Sequence, residues 1–316
     1  MLGRIRAVIK ATTLEVVSEP LFLLLTVSAV AVLTFASFLH IHQFGEPSSM
    51  PRDIGLSTVL IFGVLFAVFS SIRVFRREIE SGTLQMALSR PISREAFFLS
   101  KVAGAFLACL VFFTIVFAST VTTVIGAEVG KVHTAKMMET CGAHEEVMTE
   151  TIWFVSLAVN VAVLAVPFLF GAILNRFLRF RFAATAFMVA LFISVSGCCY
   201  NLFLAEAEFC GLIAGLTSHA VRILPVGLLL LAPIAIFLSL SAALSVKFKD
   251  NAVASFAGCA FLLFVPALGN YYQTQAVAKG GELPWTYVVW ALFAALPFIV
   301  AFLLLGMFLM RNKDVG

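Results

Sequence analysis

Two stretches of the sequence concentrate side chains that can do chemistry. HTAKMMETCGAHEEVM carries His133, Met137, Met138, Cys141, His144, Glu145 and Met148, all side chains able to bind a soft or borderline metal. Cys141 and His144 even have the spacing of two ligands on one helical face. The set completes no known ligand pattern, so a solvated polar connection is the expected reading and no metal is assigned. Glu145 and Glu146 form an acid pair, but an intramembrane hydrolase needs such a pair beside a histidine or metal within the bilayer. None of the five histidines falls in an apolar run. The second stretch, RVFRREIESGTLQMALSRPISREAFFLSK (Arg73 to Lys101), is the only long, basic, charge-dense segment between two uninterrupted apolar runs. Its chemistry is recognition: it is where a partner outside the membrane can grip the chain.

The elements that must position these stretches follow from composition. With 61% apolar and 12% charged residues, the chain has far too little charge for a water-facing surface, which needs about 25–35%. It reads as an all-α, polytopic transmembrane bundle. Crossing a hydrocarbon core takes about 20 apolar residues, and about eight runs qualify: Pro20–Leu39, Leu56–Ile72, Val102–Ile125, Ile152–Leu174, Phe182–Phe203, Ile223–Val246, Ala252–Tyr271 and Pro284–Met310. No charged residue or histidine interrupts their cores, where each would cost about 2.5–3.5 kcal/mol. A single integral membrane domain over 1–316 is expected, with a polar outer loop over 126–151. Leu204 to Arg222 carries a one-sided stripe of Phe209, Leu212, Ile213 and Leu216 that suits an interfacial or re-entrant helix.

Cation placement sets the orientation, because short loops rich in Lys and Arg stay in the cytoplasm. With the N-terminus inside, only Arg52, Lys131, Lys136, Arg222 and Lys279 of the 21 cations fall outside. Both termini are therefore expected in the cytoplasm, in a bacterial inner membrane. The first run reads as a retained span and not a cleaved signal. Before it, over residues 1–19, Leu2, Ile5, Ile9, Thr13 and Val16 recur at helical spacing, with Arg4, Lys10 and Glu15 elsewhere on the wheel. That pattern predicts an amphipathic helix on the inner membrane surface.

Within the basic stretch, 73–101, local chemistry predicts a bent helical hairpin. Glu78 and Glu80 follow an arginine cluster, and Gly82 permits a sharp turn out of the preceding helix. Leu84, Ala87 and Leu88 then share one face of a short helix, which Pro91 ends. Ser93 can cap the next helix, with Glu95 favourably placed in its first turn. A partner gripping such a helix can convert its own motion into displacement of the bundle.

ESGTLQMALSRPISR, Glu80 to Arg94, resembles the coupling-helix region of type-2 ABC transporter permeases, the exporter class with NosY-like and GldF-like members. The similarity is strongest over about residues 1–125. It implies a permease subunit that pairs with a second permease, identical or homologous, and with two copies of a separate ATPase. Carried over by position, Glu78, Glu80, Gly82, Thr83, Leu84, Leu88, Arg90, Pro91 and Arg94 would form or support the ATPase contact. The N-terminal segment similarly resembles the family's connecting helix. The family core has six spans, so eight runs imply two added spans or one re-entrant pair.

The chain has no Gly-rich phosphate loop of the GxxxxGK[ST] type. No cofactor is therefore expected in it, ATP and Mg belonging to the partner, and no nucleic acid is expected. An ion-driven secondary transporter would need ionisable groups in its spans, and none is visible. The mild polar residues inside spans, among them Thr122, Asn160 and Asn201, either bond across helices or line a substrate path. Cys109 and Cys259 fall within spans, while Cys141, Cys198, Cys199 and Cys210 fall near the outer side, where a Cys141–Cys210 bridge is one of the pairings open. Pro167, Pro225, Pro233, Pro266 and Pro297 sit in the later spans, where they are expected to bend the helices.

Overall fold

The computed structural model describes residues 2–39, 49–80, 93–137, 144–179, 181–208, 220–248, 252–253, 260 and 285–311. Among them every regular element is an α-helix: α1 (Leu2–Val17), α2 (Pro20–Leu39), α3 (Ser49–Glu80), α4 (Arg94–Met137), α5 (His144–Leu178), α6 (Phe182–Glu208), α7 (Ala220–Ser245) and α8 (Trp285–Arg311). All but α1 contain a stretch long and apolar enough to cross a membrane, which makes seven candidate spans among the described residues. Hydrocarbon offers no partner for backbone N–H and C=O groups, so an apolar run of this length satisfies them internally as a helix. The 20 residues of α2 rise about 30 Å, one hydrocarbon thickness. The eighth expected span, Ala252–Tyr271, falls outside the described residues except at 252, 253 and 260.

Helix boundaries follow local chemistry. Pro20 opens α2, where a missing N–H is no loss, and the Phe22 N–H donates back to the Glu19 carbonyl at 3.2 Å. α5 ends at Leu178, and Arg179 takes a left-handed φ of 54°, a conformation that costs a non-glycine residue about 1–2 kcal/mol. Pro167 and Pro297 lie inside α5 and α8, which run on through them.

α4 is much longer than the bilayer is thick. Its 44 residues rise about 66 Å, more than twice the hydrocarbon thickness. The polar stretch 126–151, expected as a loop, is taken up by the end of α4 and the beginning of α5, with 138–143 outside the described residues. About half of the residues at these ends are Ala, Glu, Lys or Met, which favour helix without an apolar partner.

The chain, expected as one domain, forms two compact units. The first comprises Met1–Val16, Gly63–Leu110 and Leu228–Gly316. Phe66, Phe98, Ile234 and Leu238 are among its large, fully buried side chains. Ser71 on α3 donates to the Leu238 carbonyl of α7 at 3.2 Å, and Phe75 of α3 stacks on Phe98 of α4 with ring centroids 5.3 Å apart. The second unit comprises Val17–Phe62 and Val111–Gly227. Here α4 is buried continuously from Ala118 to Ala127, and α5 packs along α6 and on α2. The Trp153 indole N–H donates to the Ser37 carbonyl at 3.3 Å, and its ring meets Phe38 edge-on at 6.0 Å.

Candidate functional site

The stretch 81–92, where the ATPase contact is expected, is bracketed by two helix ends of the first unit. α3 runs unbroken through Glu80, so Glu78 and Glu80 stand in its last turn, and α4 begins at Arg94. Gly82, Thr83, Leu84, Leu88, Arg90 and Pro91 lie outside the described residues. The start of α4 forms as its sequence predicts. Ser93 accepts the Ala96 N–H on its Oγ at 3.3 Å and the Phe97 N–H on its carbonyl at 3.0 Å, and Glu95 occupies the first turn, next to the positive end of the helix dipole.

From this cap onward, the first turns of α4 are fastened to α8, α3 and α1. Arg94 extends its guanidinium to the carbonyl of Arg311, the last residue of α8, at 3.5 Å, a long hydrogen bond at the negative end of that helix. One turn on, Phe98 is fully buried between the Phe75 ring and Gly306 of α8; a Cβ at 306 would stand 2.3 Å from the Phe98 ring. A further turn on, Lys101 is buried, its ammonium 3.9 Å from a Glu15 carboxylate oxygen on α1 and 5.7 Å from the centre of the Phe97 ring. The sequence placed the third run from Val102. The structure carries this span back to Arg94, so a paired cation sits within it.

Gly104 completes the junction. A Cβ there would stand 2.6 Å from the Thr12 Cβ and 2.9 Å from the Ile9 carbonyl oxygen, so only a glycine lets α1 lie this close. Thr13 Oγ1 uses the proximity to donate to the Gly104 carbonyl at 3.0 Å. The N-terminal helix forms as expected, but one face of it is packed on protein. Thr12 and Val16 are fully buried, with Ile9 and Thr13 partly so. An amphipathic wheel cannot tell a lipid surface from a protein surface, which is why this docking was missed. Gly104 and the opposite charges of Glu15 and Lys101 were the only signals in the sequence.

The candidate pathway residues belong to the second unit and are fully enclosed: Thr122, Asn160 and Asn201 have no exposed surface. Asn160 Nδ2 donates to Thr123 Oγ1 at 2.8 Å, and Thr123 in turn donates to the Ser119 carbonyl at 2.9 Å. Ser156 Oγ donates to Asn201 Oδ1 at 3.1 Å, while Asn201 Nδ2 donates to the Gly197 carbonyl at 3.0 Å. These bonds tie α4, α5 and α6 into one polar seam. Gly126 allows the contact, since a Cβ there would lie 2.6 Å from the Ser156 Cβ.

The described residues hold no cluster of three or more His, Cys, Asp or Glu with metal-binding proximity. The side chains of His133, Met137, Met138, Cys141, His144, Glu145 and Met148 fall outside what is described, as do Cys141 and Cys210 as a pair. Cys109, Cys198 and Cys199 are free thiols.

The sequence matches the family described as ABC-2 family transporter protein over residues 18–182, just over half of the chain. No curated protein and no solved structure matches it. The match takes in α2, α3, the bracketed stretch, α4 and α5, so it overlaps the region of strongest resemblance from residue 18 to about 125 and runs on beyond it to 182. A multi-pass helical chain matched over this region belongs to the ABC-2 transporter family, as a membrane permease component.

Proposed function

We propose that this permease is the membrane half of an ATP-driven exporter, and that the stretch 73–101 is the handle through which a separate ATPase moves it. ABC-2 membership implies ATPase partner subunits. In this reading two ATPase copies bind ATP and Mg, a second permease completes the complex, and both termini and the handle face the cytoplasm of a bacterial cell. Glu78, Glu80, Gly82, Thr83, Leu84, Leu88, Arg90 and Pro91 meet the ATPase, while Arg94 positions the base of the handle against α8.

The observation that supports this reading most is the stiffness of the junction behind the handle. A lever transmits force only if its base does not yield. Within three turns α4 is joined to α8, α3 and α1 by the Arg94–Arg311 bond, the Phe75–Phe98–Gly306 stack, the Lys101–Glu15 pair and the Thr13–Gly104 bond. A push on the handle therefore reaches α1, α3, α4 and α8 together, as rigid-body switching requires. A loop held inside by charge alone would need none of these contacts.

Co-expression with the cognate ATPase, followed by detergent extraction and affinity capture of the permease, tests the reading. Glu80→Lys is expected to lower ATPase recovery severely while leaving the amount of inserted permease unchanged. Undiminished recovery in that variant, together with undiminished recovery after deletion of 82–91, would refute the assignment.

A further inference from the structure

The structure assigns a second interaction surface, at the tip of the α5–α6 hairpin, and we propose that it binds anionic phospholipid headgroups. The apolar stretches of α5 and α6 end at Phe177 and begin again at Phe182. Arg176, Arg179 and Arg181 crowd this turn, all exposed. The sequence contains no Asp or Glu between Glu150 and Glu206, so no acid on the adjoining turns offsets them. Elsewhere Lys101 faces Glu15 and Arg52 faces Asp53, but among the described residues no carboxylate pairs with any of these three arginines.

Two features set this tip apart from a loop that merely carries positive charge. The first is conformational: Arg179 holds a φ of 54°, which glycine would adopt without steric conflict. Among the described residues of the turn, a guanidinium is carried at the position where a side chain is least welcome. The second is that the base of the turn is fixed. Gly171 lets the Phe182 ring come within 3.1 Å of where a Cβ would be, and the Phe168 and Phe182 rings lie 6.2 Å apart. The three charges thus project from a closed hairpin, where little order has to be gained on binding.

The occupant follows from what surrounds the charges. Below them α5 exposes Leu169, Phe170, Ile173 and Phe177, the last at 77%, an apolar wall suited to acyl chains. A guanidinium pairs with phosphate oxygens in a two-pronged geometry. Phosphate over an apolar wall at the end of a span is the chemistry of an anionic phospholipid; free phosphate has no use for the wall, and a soluble acidic protein would not meet it inside the bilayer. This inference does not depend on the exporter reading.

The test uses the full chain, reconstituted in bilayers of phosphatidylcholine alone or of equal parts phosphatidylcholine and phosphatidylglycerol, and reads retained lipid by native mass spectrometry. The wild type is expected to retain phosphatidylglycerol in excess of its share. Arg179→Gly suits the turn and so preserves the fold; it is expected to reduce that excess about fivefold, the effect of one juxtamembrane cation. The combined variant R176Q/R179Q/R181Q should abolish the excess, and Lys at all three positions should keep part of it. Inorganic phosphate should not displace the lipid. Undiminished phosphatidylglycerol retention by both R179G and the triple Gln variant, or displacement by inorganic phosphate, would overturn the proposal.

Discussion

Gly104→Ala has an outcome whose sign depends on the docking of α1. In an ordinary helix interior, Gly→Ala stabilises by about 1 kcal/mol, since alanine loses less backbone entropy. At 104 the new methyl would stand 2.6 Å from the Thr12 Cβ and 2.9 Å from the Ile9 carbonyl oxygen. The second neighbour is backbone and cannot rotate away, so α1 itself must move. Overpacking of this kind costs about 1–3 kcal/mol. Retreat of α1 instead gives up the 3.0 Å Thr13 bond, worth about 1 kcal/mol, and the partly exposed Lys101–Glu15 pair, worth about 1 kcal/mol or less. Both routes cancel or exceed the propensity gain. The assay is limited trypsinolysis in a mild detergent, reading cleavage after Arg6 and Lys10, both exposed on α1, beside a thermal unfolding trace. The variant is expected to be cut faster at these sites and to unfold no later than wild type. Later unfolding by several degrees, with cleavage unchanged, would mean that α1 is not seated on Gly104.

Three further substitutions probe the other joints. Glu15→Gln should lower stability by about 1 kcal/mol, because the buried Lys101 ammonium then faces a neutral amide; E15Q/K101M should recover most of it, because it also removes the buried charge left without its counter-ion. Phe98→Ala removes a fully buried ring between Phe75 and Gly306 and is expected to cost about 3–5 kcal/mol, read as a large drop in melting temperature in detergent. For the polar seam, a double-mutant cycle of Asn160→Leu and Thr123→Val should yield a coupling of about 0.6–1.7 kcal/mol, measured by unfolding in mixed micelles; zero coupling would contradict the 2.8 Å bond.

The seven spans that the described residues include were legible because an apolar run of that length has only one way to satisfy its backbone in lipid. Local punctuation was legible for the same kind of reason: Pro20 and Ser93 act within one turn of themselves, and both open helices as their chemistry dictates. What the sequence concealed was long-range pairing. Nothing near Arg94 announces a carbonyl 217 positions away on Arg311, and Gly104 reads like any glycine in a membrane helix until Thr12 is seen against it. Asn160 and Thr123 were visible as mild polar residues, but their spacing of 37 positions carries no periodic signal. The loop expected over 126–151 failed for a different reason: polarity was read as absence of structure, whereas good helix formers continue α4 to Met137 and start α5 at His144.

A photo-reactive residue in place of Leu84 puts the lever account to its most direct test. In membranes holding the permease and its ATPase, it should attach to the nucleotide-hydrolysing subunit, with a yield that changes when ATP is supplied. Attachment to lipid alone, or labelling of position 84 only by reagents applied from the far side of the bilayer, would contradict the account.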